Sequence, residues 1–124
     1  MMFHRRIGTA DIFNIVEYVG PTHDPAVVFP DLSREQLAAA ARRLPAHQYA
    51  ASIDRFVIAI QIWVVRWNGA VIVVDTGVGN FKQRPAARMN NLNTRVMDWL
   101  EAAGAGRDAV THVINTHLHS DHVG

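Results

Sequence analysis

The sequence contains no cysteine, no excess of charge of one sign and no long apolar run. Without cysteine the chain can form no disulfide framework, no thiolate zinc finger and no cysteine nucleophile, so any metal ion must be held by nitrogen and oxygen atoms. No stretch approaches eighteen uncharged apolar residues, and polar residues follow Met1–Arg6 where a signal peptide would have its apolar core. We therefore expect a cytoplasmic protein that does not enter the membrane.

The balance of charges argues against two classes of partner. Twelve Lys and Arg residues stand against eleven Asp and Glu residues, which gives a formal net charge of +1, and the basic residues are scattered. A protein that binds nucleic acid or an anionic membrane surface usually carries a clustered basic patch. The chain has 124 residues, of which 49% are hydrophobic and 19% charged, and this composition is typical of a single soluble domain.

Strand-like and helix-like segments follow one another in the order of an α/β layered domain. β-branched, aromatic or continuously apolar runs indicate the strands, and apolar residues at helical spacing indicate the helices. The sequence predicts a strand at 12–18 that stops at Gly20-Pro21, a helix at 34–43, strands at 56–66 and 70–75, a long loop at 81–91, a helix at 94–103 that is capped by Asn93 or Thr94 and ends at Gly104, and a strand at 110–116.

Local signals support the first helix and the central hairpin. Ser33 and Gln36 have the spacing of a capping box. Asn68-Gly69 supplies the two positive-φ residues that a type I′ hairpin turn requires. The strand at 56–66 is apolar at nearly every position, which is typical of a strand covered on both faces.

Histidines are concentrated at one end of the sequence. Four of the seven lie within the last thirteen residues, and three of these belong to the run His117-Leu-His119-Ser-Asp121-His122. In an extended segment, residues two apart point the same way, so His117 and His119 can offer nitrogens to one ion. The turn that follows can direct Asp121 and His122 to a neighbouring ion. Imidazole and carboxylate donors suit Zn²⁺ best, with Mn²⁺, Fe²⁺ and Co²⁺ as alternatives.

This run supplies two ligands for each ion, whereas a catalytic zinc normally takes three protein ligands and keeps one open position. The remaining histidines lie outside any recognisable ligand spacing: His4, His23, His47 and His112. We therefore expect the missing ligands to lie beyond Gly124, and residues 1–124 to be the N-terminal part of a larger, single domain.

Two motifs in the sequence resemble those of the metallo-β-lactamase superfamily. Asp75-Thr76-Gly77 stands at a strand end, and Thr116–Gly124 carries the histidine run about forty residues later. A wider pattern is similar to the subgroup that holds methyl parathion hydrolase and quorum-quenching lactonases, although Phe81 stands where that subgroup has a histidine. The wider pattern consists of Val74–Asn80, Lys82, Arg84 and the helix segment Leu100–Gly104. The resemblance covers residues 56–124.

The resemblance implies an αββα sandwich of which this chain is the N-terminal half. It implies that His117 and His119 bind one zinc ion and that Asp121 and His122 bind a second. Asp121 would also be a possible proton acceptor, and Asp75 would orient the histidine run. The implied activity is hydrolysis of a small-molecule ester, lactone or phosphotriester by a metal-bound hydroxide.

Two alternatives to this function stay open. The same fold could hydrolyse a thioester or a β-lactam. The chain could also be a truncated, non-catalytic module that binds metal weakly or serves as an association half. An incompletely covered sheet would then favour aggregation or a homodimer.

Simpler interpretations apply to several polar and aromatic residues. Asp75 can act as a turn residue whose carboxylate caps backbone amides. His112 is expected to be an ordinary polar strand residue, and Gly77 with Gly79 lacks the further residues of a phosphate-binding loop. The remaining expectations are a solvated loop face for Lys82, Arg84 and Arg88, and core or hairpin-end packing for Trp63 and Trp67.

Overall fold

A computed structural model describes residues 1–124, and six strands and three helices make up the fold. The strands are β1 (Met2–Ile7), β2 (Ala10–His23), β3 (Tyr49–Ala50), β4 (Arg55–Trp67), β5 (Ala70–Val74) and β6 (His112–Ile114). The helices are α1 (Pro25–Val28), α2 (Arg34–Ala41) and α3 (Val96–Ala102), and a single 3₁₀ turn lies at Ala87–Met89. The predicted α/β class is confirmed.

The chain divides into two compact units, one formed by 1–18 with 60–124 and the other by 19–59. In the second unit, β3 pairs antiparallel with the beginning of β4. The predicted capping box of α2 is present, because Ser33 Oγ accepts from the Gln36 amide while Gln36 Oε1 accepts from the Ser33 amide. The helix ends at Ala41, two residues earlier than predicted, since the amides of Arg43 and Leu44 bond three residues back in a tighter turn.

The sheet has the order β1-β2-β4-β5-β6, with β3 paired to β4. Strand β1 was not predicted from the sequence, and it pairs antiparallel with β2 across Gly8. Most residues of β1 are exposed, so the segment lacks the alternation of a half-buried strand and owes its conformation to β2. The prediction that the first strand stops at Gly20-Pro21 was wrong. Proline fixes φ at a value compatible with extended backbone and only removes one donor, so β2 continues to His23.

The predicted hairpin joins β4 and β5, with Trp67 opposite Ala70. Asn68 and Gly69 both have positive φ, at 48° and 79°, as a type I′ turn requires. On one face of β4, Ile60, Ile62 and Val64 are buried. The opposite face is partly exposed within residues 1–124, and Trp63 keeps 42% of its surface accessible, so the predicted core position of this side chain was wrong.

Helix α3 covers the buried face of the sheet. Val96 and Ala103 join the core residues Ile15, Ile62 and Val64 in one hydrophobic cluster. The prediction that Asn93 or Thr94 caps this helix was wrong: the N-cap is Arg95, whose side chain makes no capping hydrogen bond. The amide and hydroxyl of Thr94 donate instead to Asn80 Oδ1, at 2.8 and 3.1 Å, so Thr94 closes the preceding loop.

The end of α3 and the beginning of β6 lead the chain to the edge of the sheet. Gly104 has a φ of 70° and terminates the helix as predicted, with its amide bonded to Glu101 and the next amide bonded to Leu100. Strand β6 pairs in parallel with β5 and is shorter than the predicted 110–116, because Thr116 turns toward Asp75. None of the helices is long and apolar enough to cross a membrane.

A glycine after β5 provides a test of this packing. Gly77 has a φ of 67°, and a Cβ there would overlap the Glu17 carboxylate and lie 3.2 Å from Ile62 Cδ1. Gly77→Ala should lower the free energy of unfolding by about 2–4 kcal/mol, from backbone strain and overpacking together. Gly69→Ala is the control, since its φ is also positive but no atom lies within 4 Å of the added Cβ. If urea unfolding shows that the two variants lose equal amounts of the free energy of unfolding, this packing would be contradicted.

Candidate metal centre

The histidine loop, residues 116–122, follows β6 at the edge where β5 also ends. Because β5 and β6 are parallel, Asp75 after β5 and Thr116 after β6 emerge side by side. The Asp75 amide donates to the Ile114 carbonyl at 2.8 Å, which continues the pairing beyond the strands. The topology therefore brings the two motifs of the sequence together across a separation of about forty residues.

Asp75 is the one buried charged residue of the chain, and its carboxylate contacts both ends of the histidine loop. Oδ1 accepts from the Thr116 amide at 2.8 Å. Oδ2 accepts from the Thr116 hydroxyl at 2.9 Å and from His122 Nδ1 at 2.7 Å. The backbone of Asp75 has a φ of 57°, which directs the side chain back toward the loop. The Asp75 carboxylate therefore caps a backbone amide and also hydrogen-bonds to a histidine, and its role in orienting a metal ligand stays a prediction.

The carboxylate of Asp75 is ionised over most of the pH range. Burial by itself raises the pKa of Asp75, but the hydrogen bonds from the Thr116 amide, His122 and the Thr116 hydroxyl outweigh burial and leave the pKa below its usual value. An ionised carboxylate can only accept hydrogen bonds. Each of its partners must therefore donate.

This requirement fixes the tautomers of two imidazoles. His122 must carry a proton on Nδ1 to donate to Asp75. The single hydroxyl proton of Thr116 also goes to Asp75, so the hydroxyl oxygen is left to accept from His117 Nδ1 at 3.1 Å. When each ring is neutral, Nε2 of His117 and of His122 therefore keeps a free lone pair. This tautomer can bind a metal ion through Nε2.

The loop brings the four predicted ligands close together. The ring centroid of His117 lies 4.6 Å from that of His119 and 3.9 Å from that of His122. Asp121 Oδ2 lies 3.6 Å from His122 Nε2. His117 and His119 are exposed, whereas Asp121 and His122 are half-buried.

The donor set of three imidazoles and one carboxylate suits a divalent cation such as Zn²⁺. The geometry supplies only part of a centre, since no three His, Asp or Glu side chains of the chain are arranged to hold one ion. The assignment of these four residues as ligands stays a prediction.

Hydrogen bonds hold the backbone of His122 in addition to its ring. The His122 carbonyl accepts from the Thr76 amide at 3.0 Å, from the Thr76 hydroxyl at 3.1 Å and from the Asn115 side chain. The His122 amide donates to the His119 carbonyl at 3.0 Å and closes the turn. The conformation of the histidine loop is thus determined by residues on both sides of it.

A half-buried acid on β2 holds the glycine loop, residues 77–79, which follows Asp75. The Glu17 carboxylate accepts from the Val78 amide at 2.7 Å and from the Gly79 amide at 3.3 Å. Burial raises the pKa of Glu17, although these two hydrogen bonds and the positive charge of Arg84 act in the opposite direction. Glu17 was not predicted as a site residue, and its only signal in the sequence is an acidic residue inside a strand of apolar and aromatic residues.

The prediction of a solvated loop face was wrong for Arg84. Its Nη2 donates to the Val78 carbonyl at 3.0 Å and to the Val123 carbonyl at 3.3 Å, and the residue is half-buried. Lys82 and Arg88 are exposed, as expected. Trp67 donates to the Thr9 hydroxyl at 3.0 Å beside the hairpin, in agreement with the predicted hairpin-end contact.

Comparison with known families identifies the chain. A family model of the metallo-beta-lactamase superfamily matches residues 56–124, which is more than half of the sequence. The chain belongs to the metallo-beta-lactamase superfamily. The resemblance stated from the Asp75 and histidine motifs is thereby confirmed. A comparison with the curated proteins finds no match.

Three solved structures share the fold. The hydrolase AbOPH of the beta-lactamase superfamily has a TM-score of 0.73 at 18% identity, with 98% of this chain and 37% of that chain covered. AidC, a dizinc quorum-quenching lactonase solved with a product, has a TM-score of 0.70 at 18% identity and the same coverage. A probable metal-dependent hydrolase from Staphylococcus aureus gives 0.68 at 16% identity, covering 95% of this chain and 41% of its own. The chain spans about two fifths of these structures.

The role of Asp75 predicts the effect of its amide analogue. Asp75→Asn keeps the shape but replaces one acceptor oxygen with a donor, so at least one bond to Thr116 or His122 is lost in a buried site. We expect the free energy of unfolding to fall by about 1–3 kcal/mol, measured by urea denaturation. Asp108→Asn, at an exposed aspartate, controls for the removal of one negative charge. Equal stability of the two variants would contradict the role of Asp75.

The raised pKa of Glu17 leads us to expect that the stability of the protein depends on pH. Because the pKa of Glu17 is raised above its ordinary value of 4.5, the folded protein binds this proton more tightly than the unfolded chain does. The free energy of unfolding therefore falls as the pH rises through the range between the two pKa values. Glu17→Gln removes this titration, so the variant should gain stability relative to wild type as the pH rises above the ordinary glutamate pKa of 4.5.

Urea unfolding of wild type and Glu17→Gln at several pH values measures this gain. Glu101→Gln, at an exposed glutamate of α3, shows what the loss of any carboxylate does. A difference between Glu17→Gln and wild type that stays constant with pH would show that Glu17 titrates alike in the folded and unfolded states.

Proposed function

We propose that the protein is a metal-dependent hydrolase whose histidine loop contributes ligands to two divalent ions, with zinc the best-suited metal. His117 and His119 would bind one ion, and Asp121 and His122 the other. The observation that carries the proposal is the hydrogen-bond chain from His117 through Thr116 to Asp75 and His122, which leaves both Nε2 lone pairs free. A solvated loop would have no need of a buried carboxylate that selects the metal-binding tautomer of two histidines.

In this proposal, different residues of the chain have different roles in the hydrolysis. A divalent cation at this site supplies a positive charge that polarises a carbonyl or phosphoryl oxygen and lowers the pKa of a water molecule. Asp75 and Thr116 orient the imidazoles. Asp121, whose carboxylate lies beside His122 Nε2, is also positioned to accept a proton. Hydrolysis would then need no covalent intermediate on the protein.

The proposed substrate is a small ester, lactone or phosphotriester. Two observations support this class. The structural neighbours include a protein described as a quorum-quenching lactonase and another described as a hydrolase. The net charge of +1 also gives the protein no general attraction for a polyanion. Thioester or β-lactam hydrolysis would use the same residues on another substrate.

A second candidate is a non-catalytic metal-binding or association module. The observation that favours it is that no three ligand side chains of the chain are arranged around one ion. A site with two ligands for each ion loses chelation and should bind metal weakly. The two candidates differ in whether the natural polypeptide hydrolyses a substrate when metal is bound.

The test uses the polypeptide as its own cells make it, with its intact mass recorded. The variant His117→Ala with His119→Ala should lose bound zinc after dialysis and should lower hydrolysis of an acyl homoserine lactone, 4-nitrophenyl acetate or paraoxon by more than about 100-fold. His112→Ala is the matched control, since His112 is an exposed histidine of β6 outside the loop.

A chelator should abolish the hydrolysis in wild type, and added zinc should restore it. Zinc bound without hydrolysis of any of the three substrate classes would support the second candidate. Hydrolysis that survives both the chelator and the double substitution would refute a metal centre in the histidine loop.

A further inference from the structure

We propose that Arg84 is a positioning residue for the metal centre and sets the affinity of the histidine loop for its metal ions. The inference deepens the proposed function, because it assumes that the loop binds metal. It rests on a contact with the backbone just after His122, which Asp75 does not touch. Arg84 links the glycine loop to Val123, the residue that directly follows His122.

The bridge is made by one nitrogen. Nη2 of Arg84 carries two hydrogens, and it lies 3.0 Å from the Val78 carbonyl oxygen and 3.3 Å from the Val123 carbonyl oxygen. A charged donor makes a stronger hydrogen bond to a carbonyl than a neutral one does. The guanidinium therefore fixes the separation between the glycine loop and Val123, which are distant in sequence.

Val78 is a rigid point for this bridge. Its side chain is fully buried, and it packs with Ile60 and Met89 in a hydrophobic cluster. Its amide donates to the Glu17 carboxylate at 2.7 Å. The peptide groups around Val78 are therefore held on one side by a carboxylate and on the other by a guanidinium, which leaves the glycine loop little freedom to move.

Close packing transmits this position to the end of the histidine loop. A Cβ on Gly79 would come within 2.9 Å of the Gly124 carbonyl carbon, so the two segments are in direct backbone contact. His122 is then fixed at three places: its ring by Asp75, its carbonyl by Thr76, and the next carbonyl by Arg84. Loss of the Arg84 bridge would free the last of these and let His122 Nε2 and Asp121 move relative to His117.

The chemistry of the side chain predicts how substitutions rank. Arg84→Gln removes the charge and leaves a shorter side chain that cannot reach both carbonyls. Arg84→Lys keeps the charge and lacks the Nε donor, which in Arg84 is buried without an acceptor. A lysine should therefore recover part of the bridge. Arg88 is an exposed arginine of the same loop, so Arg88→Gln and Arg88→Lys are matched controls.

Two measurements test the proposal, one without metal and one with it. Hydrogen–deuterium exchange of the metal-free protein should be faster in the segment 115–124 of Arg84→Gln, with β4 and β5 unchanged. Zinc affinity, measured by competition with a chromophoric chelator, should fall by about 10–100-fold in Arg84→Gln, as for other residues that orient metal ligands. Arg84→Lys should lie between Arg84→Gln and wild type in both measurements.

The outcomes separate this proposal from the proposed function. Exchange and zinc affinity of Arg84→Gln equal to those of Arg88→Gln would overturn the role of Arg84. If Arg84→Gln does not fold, the comparison of Arg84→Lys with Arg88→Lys decides, and equal zinc affinities would overturn it. If wild type binds no zinc, the proposed function fails and the effect on metal affinity fails with it, whatever the exchange of the segment 115–124 shows.

Discussion

The structure around the site depends on one buried carboxylate. Asp75 lies at the end of β5, where solvent is largely excluded, and an ionised group in such a place must be compensated by donors. Thr116 and His122 supply these donors from opposite ends of the histidine loop. The need to satisfy the charge therefore determines the path of the loop, the orientation of two imidazoles and the tautomer that each adopts.

The fold explains why these groups meet. Strand β5, helix α3 and strand β6 form a crossover connection, so the two parallel strands end at the same edge of the sheet, which is where ligand sites of parallel sheets form. Helix α3 covers the hydrophobic face that holds this geometry. Glu17 holds the glycine loop, and Arg84 links that loop to Val123, directly after the histidine loop. The proposed metal ligands are thus carried by a backbone that is hydrogen-bonded at several points.

Local patterns were enough to predict some of this arrangement. The capping box at Ser33, the turn at Asn68-Gly69 and the glycine that ends α3 depend on neighbouring residues, and each was predicted from the sequence. The spacing of the histidines predicted the composition of the candidate site for the same reason. Strand β1, Glu17 and Arg84 depend on partners that are distant in sequence, so their positions follow only from the folded chain. The cap of α3 was mispredicted because Thr94 bonds to Asn80 instead.

The control that Asp75 exerts over the imidazoles is tested most directly by long-range ¹H–¹⁵N NMR spectra of the histidines in the metal-free protein. His117 and His122 should each be protonated on Nδ1, with Nε2 unprotonated, and zinc should then shift the Nε2 signals of these two rings. Exposed His47 provides the internal reference for a ring that exchanges between tautomers. A proton on Nε2 of His122, or signals of His117 and His122 that average like those of His47, would contradict the account.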